Sequence, residues 1–182
     1  MFSGIVTKAK ILDISTFVVE NTFDTQELSV CSIAHDGACM TITSFSKETY
    51  SFFAMQESLS KTNFQKKAET FNVEQCIRYG DRVDHFVTGH IDTTTVKSTH
   101  IATDSMELVI LYPQAFNPYI ISKSIAINGV SLTVVQDDID SFSVRLIPIT
   151  QELTNLTLTK NHTVNLEYDM LAKYAYKHAQ RT

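Results

Sequence analysis

The segment SIAHDGACMTIT at residues 32–43 returns as SIAINGVSLTVV at residues 124–135. Ser, Ile, Ala, Gly and Thr hold the same slots, while Cys39 becomes Ser131 and Met40 becomes Leu132. Downstream, Ser58 aligns with Thr150, and Thr62-Asn63-Phe64 with Thr154-Asn155-Leu156. After a one-residue slip, Asn72-Val73-Glu74 aligns with Asn165-Leu166-Glu167. Upstream, Ser3-Gly4-Ile5-Val6 matches Thr88-Gly89-His90-Ile91. A solenoid needs about three or more copies to bury its faces, so two long copies predict two similar domains meeting near residue 85.

Each copy reads as β structure. VSLTVV, FSVRLI, MELVIL and TVNLEY are short, alternating or β-branched runs bounded by polar residues. Asp36-Gly37 and Asn128-Gly129 sit between such runs, the strongest short hairpin signal. Repeated short strands predict a small barrel or sandwich in each half. Helix is sparse. MLAKYAYKHAQ (170–180) is the best candidate, with Asp169 as N-cap and Met170, Leu171, Tyr174 and His178 on one face.

The net charge of −5 and pI ≈ 5.6 argue against binding a phosphate backbone. The basic stretch KTNFQKK (61–67) reads as a solvated loop. No apolar run reaches the roughly 18 residues of a membrane span, and MFSGIVTKAK lacks the pattern of a signal peptide. Cys31, Cys39 and Cys76 are odd in number and form no CxxC pair, which disfavours disulfide frameworks and zinc ribbons. A reduced, cytoplasmic protein is expected.

Residues two apart on a strand share a face, so Ser131 and Thr133 project together, as do Cys39 and Thr41. Such a row either fills a barrel or offers uncharged donors and acceptors to a ligand beside a tight turn. Cys39 is either a small buried hydrophobe or a nucleophile. His90 is either a structural histidine or a group titrating near neutral pH. His85, His90 and Asp92 lack the spacing of a metal site. No P-loop, G-x-G-x-x-G or G-x-S-x-G motif is present.

Together, MFSGIV, the duplicated S-I-A-x-[DN]-G-x-[CS]-x-T motif, TGHID, LIPxT and VNLEYDMLAKY resemble the α-type riboflavin synthase family essentially end to end. The resemblance implies an all-β chain of two tandem six-stranded Greek-key β-barrels, flavodoxin-reductase-like, plus a C-terminal helix. The implied division is 1–85 and 86–168 for two lumazine-binding barrels, and 169–182 for a trimerisation helix. The implied reaction is dismutation of two 6,7-dimethyl-8-ribityllumazine molecules to riboflavin and 5-amino-6-(D-ribitylamino)uracil, without metal or redox cofactor. The implied assembly is a homotrimer in which one chain's N-terminal barrel faces a neighbour's C-terminal barrel. Association with lumazine synthase is a further implied partnership.

The resemblance also implies site residues. The N-terminal barrel pocket takes Gly4, Ile5, Val6, Ser32, Cys39, Met40 and Thr41, completed by Ser58 and a preceding strand, Phe53, Ala54, Met55, Gln56 and Glu57. The C-terminal pocket takes Gly89, His90, Ile91, Lys123, Ser131, Leu132 and Thr133, completed by Ile147, Pro148, Ile149 and Thr150. His90, Ser131, Thr133, Cys39 and Asp169 are the implied catalytic candidates. Two identical substrates must act as donor and acceptor, so divergence at Cys39/Ser131 and Ile5/His90 is what such chemistry expects. The chain departs from the family at turns: Val83-Asp84-His85-Phe86 replaces a Gly-Gly-His-Leu run, and Ile149 stands where an acidic residue is expected. The alternative is a non-catalytic lumazine- or flavin-binding antenna, against which His90, Ser131 and Thr133 all stand.

Overall fold

The computed structural model describes residues 1–24, 32–66, 69–81, 83, 85–101, 105–111, 124–157 and 163–181. Cys31 and Lys123 lie outside the described residues. The first half contains β1 (Thr7–Asp13), β2 (Val18–Glu20), β3 (Ser32–His35), β4 (Ala38–Phe45), β5 (Thr49–Phe52) and β6 (Thr70–Gln75). The second contains β7 (Thr93–Ile101), β8 (Met106–Leu111), β9 (Ser124–Ile127), β10 (Val130–Asp137), β11 (Ser141–Leu146) and β12 (Thr163–Tyr168). The rings close as β1-β2-β5-β4-β3-β6 and β7-β8-β11-β10-β9-β12. The two orders are the same, and closure leaves neither sheet an open edge.

The hairpins form where Asp36-Gly37 and Asn128-Gly129 predict them. Asp36 and Gly37 have φ of 45° and 84°, and Asn128 and Gly129 have 46° and 78°. Two successive positive φ values are what a type I′ turn requires. The hairpins fix register, pairing Ala34 with Cys39 and Ala126 with Ser131. Met40 and Leu132 therefore face the barrel cores, while Cys39, Thr41, Ser131 and Thr133 face outward. These polar positions do not fill the barrels; they lie on the outer surface.

The cores differ in chemistry. Tyr50, Phe52, Phe64 and Phe71 dominate the first, and Leu108, Ile110, Ile125, Ile127 and Val144 the second. His35 lies fully buried among the aromatics, its ring centroid 4.0 Å from that of Phe52. Its Nε2 is 3.0 Å from the Tyr50 hydroxyl.

The segment expected to continue as strand through Glu57 turns into a helix instead. β5 ends at Phe52, and α1 covers Gln56–Lys61. Its counterpart α2 covers Pro148–Leu153, with Pro148 supplying a pre-set φ at the first turn. The turns that follow carry Asn63-Phe64 and Asn155-Leu156 into the interior, all at most 2% exposed. The reading of 61–67 as a solvated loop fails at Asn63 and Phe64, because the basic letters around them mask an apolar anchor. The terminal helix α3 (Met170–Ala179) begins where expected, the Asp169 carboxylate accepting from the Ala172 N–H at 3.0 Å. The Lys173 ammonium, 2.8 Å from Asp92, ties its first turns to the second barrel.

The barrels are joined by reciprocal contacts. Phe2 and Val87 exchange backbone hydrogen bonds of 2.7 and 2.9 Å. The Asn63 N–H donates to Asn165 Oδ1, and the Asn155 N–H to Asn72 Oδ1, both at 2.7 Å. The side-chain amides of Asn72 and Asn165 donate to the carbonyls of Asn128 and Asp36, both at 3.0 Å. Gly37 and Gly129 pack back to back: a Cβ on either falls 2.8 Å from the other's nitrogen.

Burial pushes the His35 imidazole down from 6.5 to about 3. The unfolded chain therefore takes up a proton below about 6.5 that the folded chain refuses until about 3. This contribution to stability is intact above that window and is lost as pH falls through it. Urea unfolding between pH 7 and pH 4 is expected to show a slope from His35 approaching ~1.4 kcal/mol per pH unit, absent from His35→Gln. Equal slopes in the two proteins would contradict this burial.

Candidate functional site

Two glutamates near the ends of equivalent strands each grip the start of a repeat. Glu74 Oε1 accepts from the Ser3 N–H and Oγ, both at 2.6 Å, and Oε2 from the Gly4 N–H at 3.0 Å. Glu167 does the same for Thr88 and Gly89, at 2.6, 2.7 and 3.0 Å. Burial pushes the Glu74 carboxyl above its usual range, and the Ser3 and Gly4 donors partly offset this.

The gripped segments then reach across to the opposite barrel. The Gly4 carbonyl accepts from the Ser131 N–H at 3.0 Å, and the Gly89 carbonyl from the Cys39 N–H at 2.9 Å. Val6 packs on the second core and Ile91 on the first. The expected grouping of Gly4, Ile5 and Val6 with Cys39, and of Gly89, His90 and Ile91 with Ser131, is therefore crossed. Each repeat lends its first segment to the other. Close approach makes this possible: a Cβ at Gly4 lies 2.6 Å from Ser131 Cβ, and one at Gly89 lies 2.7 Å from Cys39 Cβ.

A cleft of ≈ 270 Å³ opens beside Cys39. Ala38, Cys39 and Met40 form one wall, α1 supplies Glu57, Ser58 and Lys61, and Gly89, His90 and Ile91 close it from the second repeat. Met40 also touches the core, while His90 is exposed, its Nδ1 3.2 Å from the Thr88 hydroxyl. Lys61 Nζ sits 2.6 Å from Glu57 Oε1 and holds that carboxyl below its usual range.

The duplication places the equivalent positions of the second barrel at Ser131, Leu132, Ile149, Thr150 and Leu153, with Ile5 and Val6 from the first repeat. Where the first cleft has His90, Glu57 and Lys61, these are Ile5, Ile149 and Leu153, exposed at 66%, 52% and 49%. One set is charged and titratable, the other apolar. The asymmetry is broader than the Cys39/Ser131 and Ile5/His90 pairs predict.

The other expected residues are placed as follows. Ser32 pairs with Thr41 across the first hairpin, and Thr133 with Ser124 across the second. Ala54 is buried in the first core, whereas Phe53, Met55 and Gln56 are exposed. Ile147 and Pro148 are exposed at the start of α2, and Thr150 is half-buried.

Asp169, the α3 cap, reaches His85, which the sequence reading weighed only with His90 and Asp92 as a metal site. His85 Nδ1 is 2.7 Å from Ser131 Oγ. Its Nε2 is 3.4 Å from Asp169 Oδ2 and 3.3 Å from Ser124 Oγ. His85 stands at the histidine of the run that Val83-Asp84-His85-Phe86 replaces, but its meeting with Ser131 comes only through the fold. Among the described residues, no group of three His, Cys, Asp or Glu side chains is placed to hold a metal. Among the same residues, no helix is long and apolar enough to cross a membrane.

The lumazine binding domain family model matches residues 3–75 and 88–169. The riboflavin synthase of Actinobacillus pleuropneumoniae is 39% identical over 149 residues, covering 79% of this chain and 69% of that protein. That of Chlamydia muridarum is 31% identical over 189 residues, covering 95% and 92%. That of Escherichia coli K12 is 34% identical over 186 residues, covering 93% and 87%. The crystal structure of LumP complexed with riboflavin matches with a TM-score of 0.78 at 24% identity, covering 92% of this chain and 99% of that one. The complex of LumP with 6,7-dimethyl-8-(1'-D-ribityl) lumazine matches with a TM-score of 0.74 at 23% identity, covering 92% and 98%. These two structures share the fold.

The crossing depends on the two close-approach glycines. Gly89→Ala places a methyl 2.7 Å from both Cys39 Cβ and Phe2 Cε2, at a φ of +83°. It is expected to cost about 3 kcal/mol in urea unfolding, from overpacking and strain. Gly80→Ala, with φ +96° and nothing within 4 Å, isolates the backbone term at about 1 kcal/mol. Equal losses for both would mean that Gly89 is not a contact point.

Proposed function

This chain belongs to the lumazine-binding family of the riboflavin synthases, and we propose that it makes riboflavin by dismutating 6,7-dimethyl-8-ribityllumazine. A four-carbon unit passes from one lumazine to the other, giving riboflavin and 5-amino-6-(D-ribitylamino)uracil. The chain is an enzyme of the transferase type. What supports the reading most is kinship along nearly the whole chain, joined to a duplicated frame whose two ligand positions carry unlike chemistry.

One lumazine occupies the cleft at Cys39 and the other the equivalent position at Ser131. Their different walls let identical molecules act as donor and acceptor. The outward rows Cys39/Thr41 and Ser131/Thr133 meet the ring systems, and Ser32, Ser58 and Thr150 add hydroxyls along the clefts. His90 is the general acid or base. Cys39, Ser131, Thr133 and Asp169 hold protons or polarise the adduct. Bringing two bound rings face to face replaces a bimolecular encounter with a local one. No metal or redox cofactor is required.

The working pair forms between the first barrel of one copy and the second barrel of a neighbour in a homotrimer. Support comes from α3, where Leu171 and Tyr174 are 73% and 67% exposed. The division into two lumazine-binding barrels, 1–85 and 86–168, and an assembly helix, 169–182, follows from this reading, as do a cytoplasmic setting and association with a lumazine synthase.

Purified protein given 6,7-dimethyl-8-ribityllumazine alone is expected to form one riboflavin per two lumazines consumed, followed by absorbance and chromatography. Tight binding with no riboflavin would replace the dismutase with an antenna-type binder. His90→Ala is expected to keep lumazine affinity and lose about hundredfold in kcat; wild-type turnover would remove His90 from the chemistry. Sedimentation equilibrium is expected to show a trimer for the wild type and smaller species for Leu171→Glu. An unchanged mass distribution would place the assembly surface elsewhere.

A further inference from the structure

We infer that His85 is a positioning residue for the Ser131 hydroxyl, fixing which way its proton points. The inference rests on the dismutase reading for its kinetic consequence, but its geometry stands alone. Carboxylates accept hydrogen bonds and, when ionised, never donate them. Asp169 Oδ2, facing His85 Nε2 at 3.4 Å, therefore favours a proton on that nitrogen. Ser124 Oγ, 3.3 Å from the same nitrogen, accepts equally well. With the proton held there, Nδ1 carries a lone pair. It lies 2.7 Å from Ser131 Oγ, so Ser131 is the donor in that bond.

Donation to His85 commits the Ser131 proton away from the ligand position. The oxygen then presents lone pairs there, as an acceptor for an N–H or acidic C–H of bound lumazine. The Ser131 backbone is pinned independently by the Gly4 carbonyl. His85 and Asp169 side chains are only 18% and 16% exposed, so water competes weakly for these bonds. Asp169 is also the N-cap of α3, accepting from the Ala172 N–H. The hydroxyl's orientation is thus connected to the first turn of the terminal helix through one imidazole. Among the described residues, no imidazole bonds the Cys39 sulfur. The Ser131 position carries a hydroxyl with a fixed direction, and the Cys39 position a thiol without one.

The test combines a spectrum with a kinetic cycle. In protein labelled with 15N-histidine, the signals lost in His85→Asn identify His85. They are expected to report the Nε2–H tautomer, with the Nδ1 shift moving in Ser131→Ala. An Nδ1–H tautomer, or no response to Ser131→Ala, overturns the inference even if the protein makes no riboflavin. In turnover, His85→Phe is expected to lose about hundredfold in kcat with KM within about threefold. His85→Asn puts an amide oxygen where Nδ1 was and is expected to recover about tenfold of that loss. In a Ser131→Ala background, His85→Phe is expected to have no further effect. Full additivity, equal damage by Phe and Asn, or a change in KM alone would each overturn the assignment. Far-UV circular dichroism and melting confirm that the variants compared are folded. Absence of riboflavin from the wild type would refute the dismutase reading and leave the tautomer result to decide the role of His85.

Discussion

The structure hangs on a polar seam closed off from solvent. Asp36, Asn72, Asn128 and Asn165 are fully buried, and Asn63 and Asn155 nearly so. Polar side chains so placed stabilise an interface only when their groups are paired; a single lost partner strands a buried donor or acceptor at about 1–3 kcal/mol. The bonds of Asn63 and Asn155 to Asn165 and Asn72, and of Asn72 and Asn165 to the opposite hairpins, come in reciprocal pairs that one registration of the barrels satisfies together. A greasy interface of equal area tolerates sliding. This one does not, and the two bonds from Gly4 and Gly89 to the opposite barrel inherit its precision.

Within that symmetric frame the chemistry is allowed to diverge. Positions that bear the frame keep their kind in both halves: the turn glycines, the seam asparagines and the gripping glutamates. Several positions that face the cleft beside Cys39 do not. The exchange of Glu57, Lys61 and His90 for Ile149, Leu153 and Ile5 changes the polarity of a wall without touching the seam. Even the barrel interiors have parted, aromatic in one and aliphatic in the other, because a closed barrel accepts any filling of suitable volume.

The fold was legible because its signals are local and doubled. Asn-Gly and Asp-Gly turns, alternating strands and an Asp before a helical run each carry their own physical reason. What escaped was either short or distant. Six-residue helices such as α1 and α2 show less than two turns of periodicity, so Phe53 to Glu57 read as extended chain. The burial of Asn63 and Phe64 was masked by the lysines beside them. The motif residues themselves were readable, but not the company they keep. Gly4 meets Ser131, Gly89 meets Cys39, and His85 meets Ser131 and Asp169 across long stretches of chain, where no periodicity records the contact. Lys123, equally prominent in the motif reading, lies outside the described residues.

The crossing of the first segments bears on how such a chain changes over generations. The surroundings of Cys39 and of Ser131 are each encoded in two places, one in each half of the gene. A substitution at residue 90 rewrites the site beside Cys39, and one at residue 5 rewrites the site beside Ser131. Exchange of a whole half by recombination therefore cannot transplant either set of surroundings intact; it hands the other half a foreign wall. The two halves are heritable only as a matched pair.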